Sequence, residues 1–462
     1  MKKIIVNYPG ASPRGIGWKL ILISRQVTEH LNLDYRVIIA LLIFSYGKIS
    51  AQQTPAAAQS EAITITGATA HIGNGEVIEN SILIFENGKI TAIGTSGSAS
   101  PKGTIIEASG KHVYPGFIAP NSTLGLVEIG AVRATDDDSE MGKYNPHIRS
   151  IIAYNAESKI VESMRPNGVL MAQITPRGGT ISGTSSIVQL DAWNWEDAAI
   201  KTDDGIHLNW PNIFKRGRWW LGEEPGFKPN EKYQTEVAKL EDFIKQSKAS
   251  IKSGSTTENL PHLALKGIFD GTKTLYVNVG VEKAILDVIT FAKDNDIKNV
   301  VLVGAWEAYK VADRLKKNTI SVLATRTHVT PWLEDEDYDL SYKNAKLLMD
   351  AGVLVALQNS GQMERANARN LPFQAGTVAA HGLDKEKALQ LITGNSAKIL
   401  GINDIAGTLE VGKDATLFIS VGDALDMRTN QLEKAFIQGR NISLESHQTK
   451  LWKRYSNKYS TK

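Results

Sequence analysis

Tyr-Pro-Gly-Phe-Ile-Ala-Pro-Asn-Ser-Thr, residues 114–123, is the stretch that decides the fold. Its Pro-Gly pair marks a turn, and Phe117 and Ile118 indicate a short buried strand. Small polar residues follow, where that strand should reach the surface. Strand signals dominate the chain before this stretch, and strands alternating with helices dominate the chain after it. Residues 114–123 therefore join two regions of different architecture.

The region before this junction is predicted to be β-structure. Residues 63–66 alternate in polarity, 81–85 are an apolar run, and Asn87-Gly88 predicts a hairpin turn into a strand at 90–94. This unit is too small for a core of its own, so it needs partners from elsewhere in the chain.

Those partners are expected near the other chain end. Residues 407–419 and 434–440 again read as short strands bounded by glycines. We therefore predict a small β-sandwich module built from both chain ends, with 62–115 as its N-terminal part and 405–445 as its C-terminal part.

The central region, 116–404, is predicted to be a barrel. Short apolar strands alternate there with amphipathic helices, which indicates a parallel sheet, and the number of units favours an α/β fold of the (β/α)8 TIM type. The predicted strands are 169–174, 274–279, 299–303, 321–324 and 353–357. In such barrels the chemistry lies on loops after the carboxyl ends of the strands.

Composition narrows the possible functions. The 462 residues are 42% hydrophobic and carry a net charge of only +3, which does not favour binding to nucleic acid or to a membrane surface. The chain has no cysteine. Disulfides, thiolate metal ligands and a cysteine nucleophile are therefore excluded.

Residues 1–51 are predicted to be a leader. Arg36 precedes an apolar run at 37–44, and small residues near Ala51 suit a cleavage site. This pattern predicts export, to the periplasm, without a stable membrane span after processing; a single membrane anchor is the alternative. Residues 52–61 are predicted to be a linker.

Residues 191–265 interrupt the alternation and are predicted to be an insertion on the barrel rim. Tryptophans gather there with Arg216 and Arg218, as in surfaces that bind a partner or close over a site. A local hydrophobic core is the alternative. Residues 446–462 are predicted to be a C-terminal tail.

The split β module around a barrel, joined by Tyr-Pro-Gly-Phe-Ile at 114–118, resembles the amidohydrolase superfamily and, within it, the imidazolonepropionase-like branch. Residues 388–401 look like the last helix pair of that family, and 407–415 are similar to its return into the β module. The resemblance covers nearly the whole chain after the leader. It implies hydrolysis of C–N bonds, or of some ester or ring bonds, with one or two divalent metal ions.

The same resemblance places the metal ligands, but other residue types stand at those positions. The family has an acidic residue and His-x-His after Pro-Gly, where this chain has Ala119, then Asn121 and Thr123. Asn278 stands for a histidine at the end of a later strand. Asn359 stands for the aspartate of the last strand, which binds metal and acts as base.

These substitutions keep polarity but remove charge. Zinc sites use imidazole, thiolate or carboxylate ligands, and neutral amide and hydroxyl oxygens are weak ligands. We therefore expect no metal cofactor at the usual positions; a divalent metal such as zinc, held in an unusual way, is the alternative.

Two further motifs offer candidate site residues. His328 follows a predicted strand and precedes the acidic run 334–337, so it is either half of an acid/base pair or a loop histidine beside a solvated turn. Arg177 opens the glycine-rich stretch 177–185, which either binds an anion or is a tight loop. The predicted catalytic residues are His328, Asn359 and Asn278, and the predicted substrate-binding residues are Asn121, Thr123, Arg177 and Arg326.

Two classes of function follow. The first is an exported amidohydrolase-like hydrolase acting on C–N bonds, other than peptide bonds, of a small substrate, without the standard metal site. The second is a catalytically silent barrel that binds such a ligand or pairs, as a non-catalytic subunit, with an active homologue. The sequence leaves open which of the two is correct, along with the substrate and the oligomeric state.

Overall fold

A computed structural model describes residues 54–224, 226–253, 259–361 and 363–460. The predicted leader, 1–51, and the first residues of the predicted linker lie outside the described residues. The first described residues, 54–61, are held against the rest of the chain; the backbone N–H of Ala56, for example, donates to Asp191 Oδ2 at 2.9 Å.

One sheet contains strands from both chain ends. Its order is β18-β17-β16-β5-β1-β2-β3, with β4 paired to β1. The strands are β1 Ile63–His71, β2 Val77–Glu86, β3 Lys89–Thr95, β4 Thr104–Glu107, β5 His112–Pro115, β16 Leu417–Ser420, β17 Leu432–Ile437 and β18 Arg440–Ile442. The two chain ends meet where β5 and β16 pair antiparallel. The predicted module from both chain ends is thus confirmed, and it is a single sheet.

A second sheet of eight strands forms the barrel, in the order β15-β14-β13-β12-β9-β8-β7-β6. Its strands are β6 Phe117–Ser122, β7 Val169–Ile174, β8 Ile181–Gln189, β9 Ala199–Asn209, β12 Thr274–Val279, β13 Val300–Gly304, β14 Ser321–Ala324 and β15 Val355–Leu357. The α/β barrel prediction is confirmed. The gap between β6 and β15 is bridged by the backbone of Leu391 and Ile392, which accepts from Leu357 N and Ile118 N, both at 3.0 Å.

One strand departs from the predicted parallel order. β8 runs antiparallel to both of its neighbours, β7 and β9. Only 175–180 connect β7 to β8, and a parallel crossover needs a dozen or more residues. The other seven strands run in one direction. Their carboxyl ends define the barrel mouth.

Helices cover the outside of the barrel and one of its ends. They are α1 Lys159–Glu162, α2 Trp195–Ala198, α3 Tyr233–Ser253, α4 Leu260–Ala264, α5 Lys266–Asp270, α6 Glu282–Asp294, α7 Ala312–Lys317, α8 Leu340–Asp350, α9 Glu364–Asn367, α10 Leu371–Ala380, α11 Lys385–Gln390, α12 Gly394–Leu400 and α13 His447–Ser460. Short 3-10 helices lie at Arg133–Thr135, Ser150–Ala153, Arg165–Asn167, Trp219–Leu221, Ala308–Val311 and Ala368–Asn370. Among the described residues, no helix is both long and apolar enough to cross a bilayer.

Alternate side chains along the barrel strands belong to two different parts of the hydrophobic core. Val301, Val303 and Leu323 point into the barrel, where they meet Ala397 and Ile399 of α12. Their neighbours along the strands pack outward against the helices. Because successive side chains of a strand face opposite sides, each parallel strand needs apolar residues on both faces, which is why these strands read as continuous apolar runs.

The structure corrects the bounds of the insertion that was predicted at 191–265. β9, 199–209, is a barrel strand that pairs with β12, so the additional segment begins near Trp210. It contains a small hairpin of β10 Phe214–Arg216 and β11 Phe227–Pro229, followed by α3. Its tryptophans fit both of the predicted roles. Trp210 is buried, as in a local hydrophobic core, whereas Trp219 and Trp220 are exposed, as in a binding surface.

Candidate functional site at the barrel mouth

Asn121 is the last residue but one of β6 and has a left-handed backbone conformation, with φ of 52°. Its side chain is held by Arg177, whose Nη1 donates to Asn121 Oδ1 at 2.7 Å while Nη2 donates to the backbone oxygen of Asn121 at 2.8 Å. Gln173 Oε1 accepts from the backbone N–H of Asn121 at 3.1 Å. Asn121 is buried, so it contacts the mouth through Arg177 rather than directly.

Arg177 brings a positive charge to the mouth on the loop after β7. Burial lowers the pKa of its guanidinium, and the carboxylates of Glu364 and Asp138 act in the opposite direction. The backbone N–H of Arg177 donates to Asp138 O at 2.6 Å, which brings the acidic loop 136–140 to this side of the mouth. The residue as a whole remains partly exposed, and both Nη groups of its guanidinium are held by Asn121.

Glu364, at the start of α9, is a central residue that sequence reasoning missed. Its Oε2 accepts from Thr123 N at 2.9 Å and from Thr123 Oγ1 at 2.6 Å, and its Oε1 accepts from Ser122 Oγ at 2.5 Å. The carboxylate is buried and saturated by these donors. No motif or spacing could have identified it, because it comes from a short helix beyond the last strand.

Asn359 follows β15 and is also buried. Its Oδ1 accepts from Gln374 Nε2, and its Nδ2 donates to Glu364 O at 3.3 Å. Gln374 in turn accepts from Thr327 N at 3.1 Å. The amide of Asn359 is thus used in linking α9 and α10 to the barrel.

His328 lies at the rim, on the loop after β14. It is exposed, and its Nε2 is 2.8 Å from Thr377 Oγ1. Partial desolvation lowers the pKa of its imidazole, which favours the neutral ring at pH 7. The acidic run 334–337 was predicted as a possible partner of His328. Within that run, Glu336 accepts from the backbone N–H of Trp332, and Asp337 pairs with Lys343.

Arg326 and Asn278 are partly exposed at the mouth. The guanidinium of Arg326 lies beside Gly361, where a methyl group would come within 3.4 Å of its central carbon. Asn278 Nδ2 donates to Asn209 Oδ1 at 3.0 Å, and Asn209 donates to the backbone oxygen of Gly179 at 2.9 Å. Asn278 is therefore linked to the loop that carries Arg177.

The structure thus separates the predicted residues into two groups. The partly or fully exposed side chains are Arg177, Asn278, Arg326 and His328. Asn121, Thr123 and Asn359 are buried and hydrogen-bonded to groups of the protein. The second group positions the mouth, and the first group is what a ligand can meet.

A polar network occupies the barrel interior below the mouth. Asp204 accepts from Gln173 Nε2 at 2.7 Å, from Ser185 Oγ at 2.8 Å and from Tyr276 OH at 3.0 Å. Burial raises the pKa of Asp204. His207 lies 2.9 Å from Ser185 Oγ and stacks on Tyr276, with ring centroids 4.7 Å apart. Because Gln173 also binds Asn121, this network supports the mouth from below.

The donor set at the mouth does not fit a divalent metal ion. Within 54–224, 226–253, 259–361 and 363–460 there is no group of three or more His, Cys, Asp or Glu residues able to hold one. Asn121 Oδ1 already binds a guanidinium, and the Glu364 carboxylate is taken up by three donors. A cation would have to displace Arg177 and bind neutral oxygens, which are poor ligands for zinc.

A cavity of about 550 Å³ lies at the other end of the barrel. It is lined by the amino ends of the strands, by Asp204 and by Lys398 and Gly401 around the end of α12. This position is opposite to the mouth, where chemistry in such barrels is found. The cavity is therefore not part of the candidate site.

Comparison with known proteins finds a match in sequence to part of the chain and matches in fold to most of it. Residues 227–442 match the model of the amidohydrolase family. An amidohydrolase from Thermotoga maritima MSB8 superposes with a TM-score of 0.71 at 23% identity, covering 82% of this chain and 99% of that one. No curated protein matches the chain.

Two further structures are similar in fold. Molinate hydrolase has a TM-score of 0.50 at 15% identity, covering 84% of this chain and 95% of its own. A Xaa-Pro dipeptidase has a TM-score of 0.51 at 12% identity, covering 83% of this chain and 100% of its own. At such identities these likenesses concern the fold alone.

Proposed function

Starting from a chain whose residues 227–442 match the amidohydrolase family, we propose that it is a hydrolase acting on a C–N bond, other than a peptide bond, of a small substrate. The observation that carries the proposal is Arg177, whose guanidinium is held by Asn121 at the carboxyl end of the barrel strands. It supplies positive charge where the fold places chemistry. An arginine there also suits a substrate that bears a carboxylate.

The reaction would proceed without the family's metal ion. Water would attack the carbonyl carbon, the oxygen would take up negative charge, and Arg177 would stabilise that charge. The neutral imidazole of His328 would accept the proton from water and return it to the departing nitrogen as the C–N bond breaks. Asn278 and Arg326 would bind the remainder of the substrate.

A silent ligand-binding barrel, or a non-catalytic subunit of an active homologue, is the second candidate. The saturation of Glu364 by Ser122 and Thr123 favours it, because this buried carboxylate is occupied in holding the end of β6. Export to the periplasm remains part of either proposal, since the apolar run at 37–44 supports it.

The test is release of amine from a panel of N-acyl amino acids, ureas and lactams, with and without a chelator. We expect turnover that survives the chelator and falls about 100-fold in Arg177→Gln and in His328→Ala. Arg314→Gln, on the exposed face of α7, is the matched control and should keep full activity.

Two results would overturn this proposal. Turnover that requires a stoichiometric bound metal would remove the metal-independent route. Absence of turnover across the panel, with small carboxylates still bound by the wild type and not by Arg177→Gln, would establish the silent barrel. Co-purification with a homologue that retains His-x-His would support the subunit form of that second candidate.

A further inference from the structure

The C-terminal helix α13, His447–Ser460, carries charge of one sign only. Its sequence contains four cations, Lys450, Lys453, Arg454 and Lys458, and no carboxylate. The whole chain has a net charge of only +3, so this small total conceals the concentration of positive charge in α13. A basic segment of this kind attracts an anionic partner.

The helix is also amphipathic. At 3.6 residues per turn, Leu451, Trp452, Tyr455 and Tyr459 fall within an arc of about 100°. The four cations fall within a second arc of about 140°, whose centre lies about 140° from that of the first. Aromatic residues on one face and lysine or arginine on the other are typical of a helix that lies in a membrane interface.

The aromatic face of α13 is exposed in the part of the chain that the structure describes. Trp452, Tyr455 and Tyr459 are 68%, 51% and 65% exposed, and none of the residues of α13 is buried. A helix that served the core would bury this face. Arg454 and Lys458 instead lie over the rings of Tyr455 and Tyr459, at 5.7 and 5.5 Å from the centroids.

The first turn of α13 is tied to the barrel. The buried Glu162 of α1 accepts from the backbone N–H of His447, and Lys450 Nζ lies 3.7 Å from Glu162 Oε2. Lys453 pairs with Glu445 just before the helix. The base of the helix is therefore fixed, and the aromatic residues beyond it face outward.

We propose that α13 binds the surface of an anionic phospholipid bilayer, with its aromatic face in the interface and its cations at the headgroups. Lipid fits better than a second copy of the chain, because anionic headgroups would neutralise the four cations, which a second basic helix cannot do. It fits better than nucleic acid, because phosphate contacts on the cationic side would leave the aromatic side in water. The composition of the whole chain gave no sign of this surface.

The experiment is sedimentation of the full chain, without its leader, with vesicles of phosphatidylglycerol and phosphatidylcholine or of phosphatidylcholine alone. We expect binding to the anionic vesicles, weakened at least tenfold on neutral vesicles and by added salt. Trp452→Ala/Tyr455→Ala and Arg454→Glu/Lys458→Glu should each weaken it about tenfold or more. Neither pair contributes to the core, so both variants should fold normally.

The matched control is Lys239→Glu/Lys252→Glu, which makes the same change in net charge on the exposed face of α3. It should bind anionic vesicles like the wild type. The proposal is overturned if the control and the α13 variants lose binding equally, or if the wild type binds neither kind of vesicle. It is also overturned if the α13 variants dissociate a dimer by light scattering, or abolish tighter binding to an RNA or DNA duplex.

Discussion

The residue that most changes the chemistry of the mouth is Arg177. In a metal-dependent barrel the end of the first strand supplies anionic or imidazole ligands, and here it supplies an amide that binds a guanidinium. An arginine holds its charge at all accessible pH values but cannot take up or release a proton as metal-bound water does. The proposed metal-independent route therefore takes its proton transfer from another group, and His328 is an exposed imidazole at the rim.

His207 provides a prediction about pH at the same scale. Burial lowers the pKa of His207 well below its usual value, so the folded protein keeps the ring neutral where the unfolded chain protonates it. The contribution of His207 to stability is thus complete above the unfolded pKa of about 6.5 and is lost as the pH falls. Asp204 acts in the opposite sense, since its raised pKa favours folding at low pH and opposes it as the pH rises.

We expect the free energy of unfolding to fall less steeply between pH 6.5 and 5 in His207→Phe than in the wild type. One proton taken up only by the unfolded chain costs up to about 1.4 kcal/mol per pH unit. The measurement is urea unfolding of the wild type and the variant at pH 7, 6 and 5. His381→Phe, at an exposed position, is the control and should keep the wild-type slope. An unchanged slope in His207→Phe would contradict the assignment.

At the scale of elements, the sequence identifies strands by their apolar character and fails where a strand is polar. β12, β13 and β14 are apolar runs, and they lie where they were predicted. β8 and β9 contain Ser185, Asp204 and His207, which point into the buried network, so both strands resembled loop. Glu364 and Gln374 escaped prediction for a related reason, because short helices far along the chain bring them to the mouth.

A buried ionic cluster joins the barrel to the sheet made from the chain ends. Asp191 follows β8; its Oδ1 lies 3.0 Å from Arg165 Nη1, and its Oδ2 lies 2.9 Å from both Arg440 Nη1 and Ala56 N. Its side chain is 3% exposed. One carboxylate thus connects β8, the start of β18, the segment before β1 and the 3-10 helix that carries Arg165.

We expect Asp191→Asn to lower the free energy of unfolding by about 3–5 kcal/mol, because it leaves two guanidinium groups near each other without their shared counter-ion. The measurement is chemical denaturation at pH 7. Asp426→Asn, which removes the partner of Arg428 at the surface, is the control and should have little effect. Equal small effects in the two variants would mean that the cluster does not hold the two sheets together.

At the scale of the whole molecule, the barrel depends on strands that come from beyond its own sequence. Phe418 of β16 packs on Tyr114 and Phe117, with ring centroids 5.5 and 5.0 Å apart. These two residues belong to the junction stretch 114–123, so the entry into the barrel is completed only when the C-terminal strands have folded back. The sequence predicted this return, because the glycine-bounded strands at both chain ends lacked partners of their own.

Two truncated chains distinguish the need for the C-terminal strands from the role of α13. A chain that ends at Asp404 lacks β16, β17 and β18, which leaves β5 without its antiparallel partner and exposes Tyr114 and Phe117. We expect it to aggregate or to lack a cooperative thermal transition, because an unpaired strand edge and an aromatic cluster are both exposed.

A chain that ends at Lys450 keeps both sheets and the contacts of Glu162 with His447 and Lys450. We expect it to melt within about 3 °C of the full chain, since none of the described residues that it loses, 451–460, is buried. Circular dichroism and light scattering measure both results. A cooperative transition in the chain that ends at Asp404 would show that the barrel folds without the C-terminal strands, and a large loss of stability in the chain that ends at Lys450 would show that α13 supports the fold.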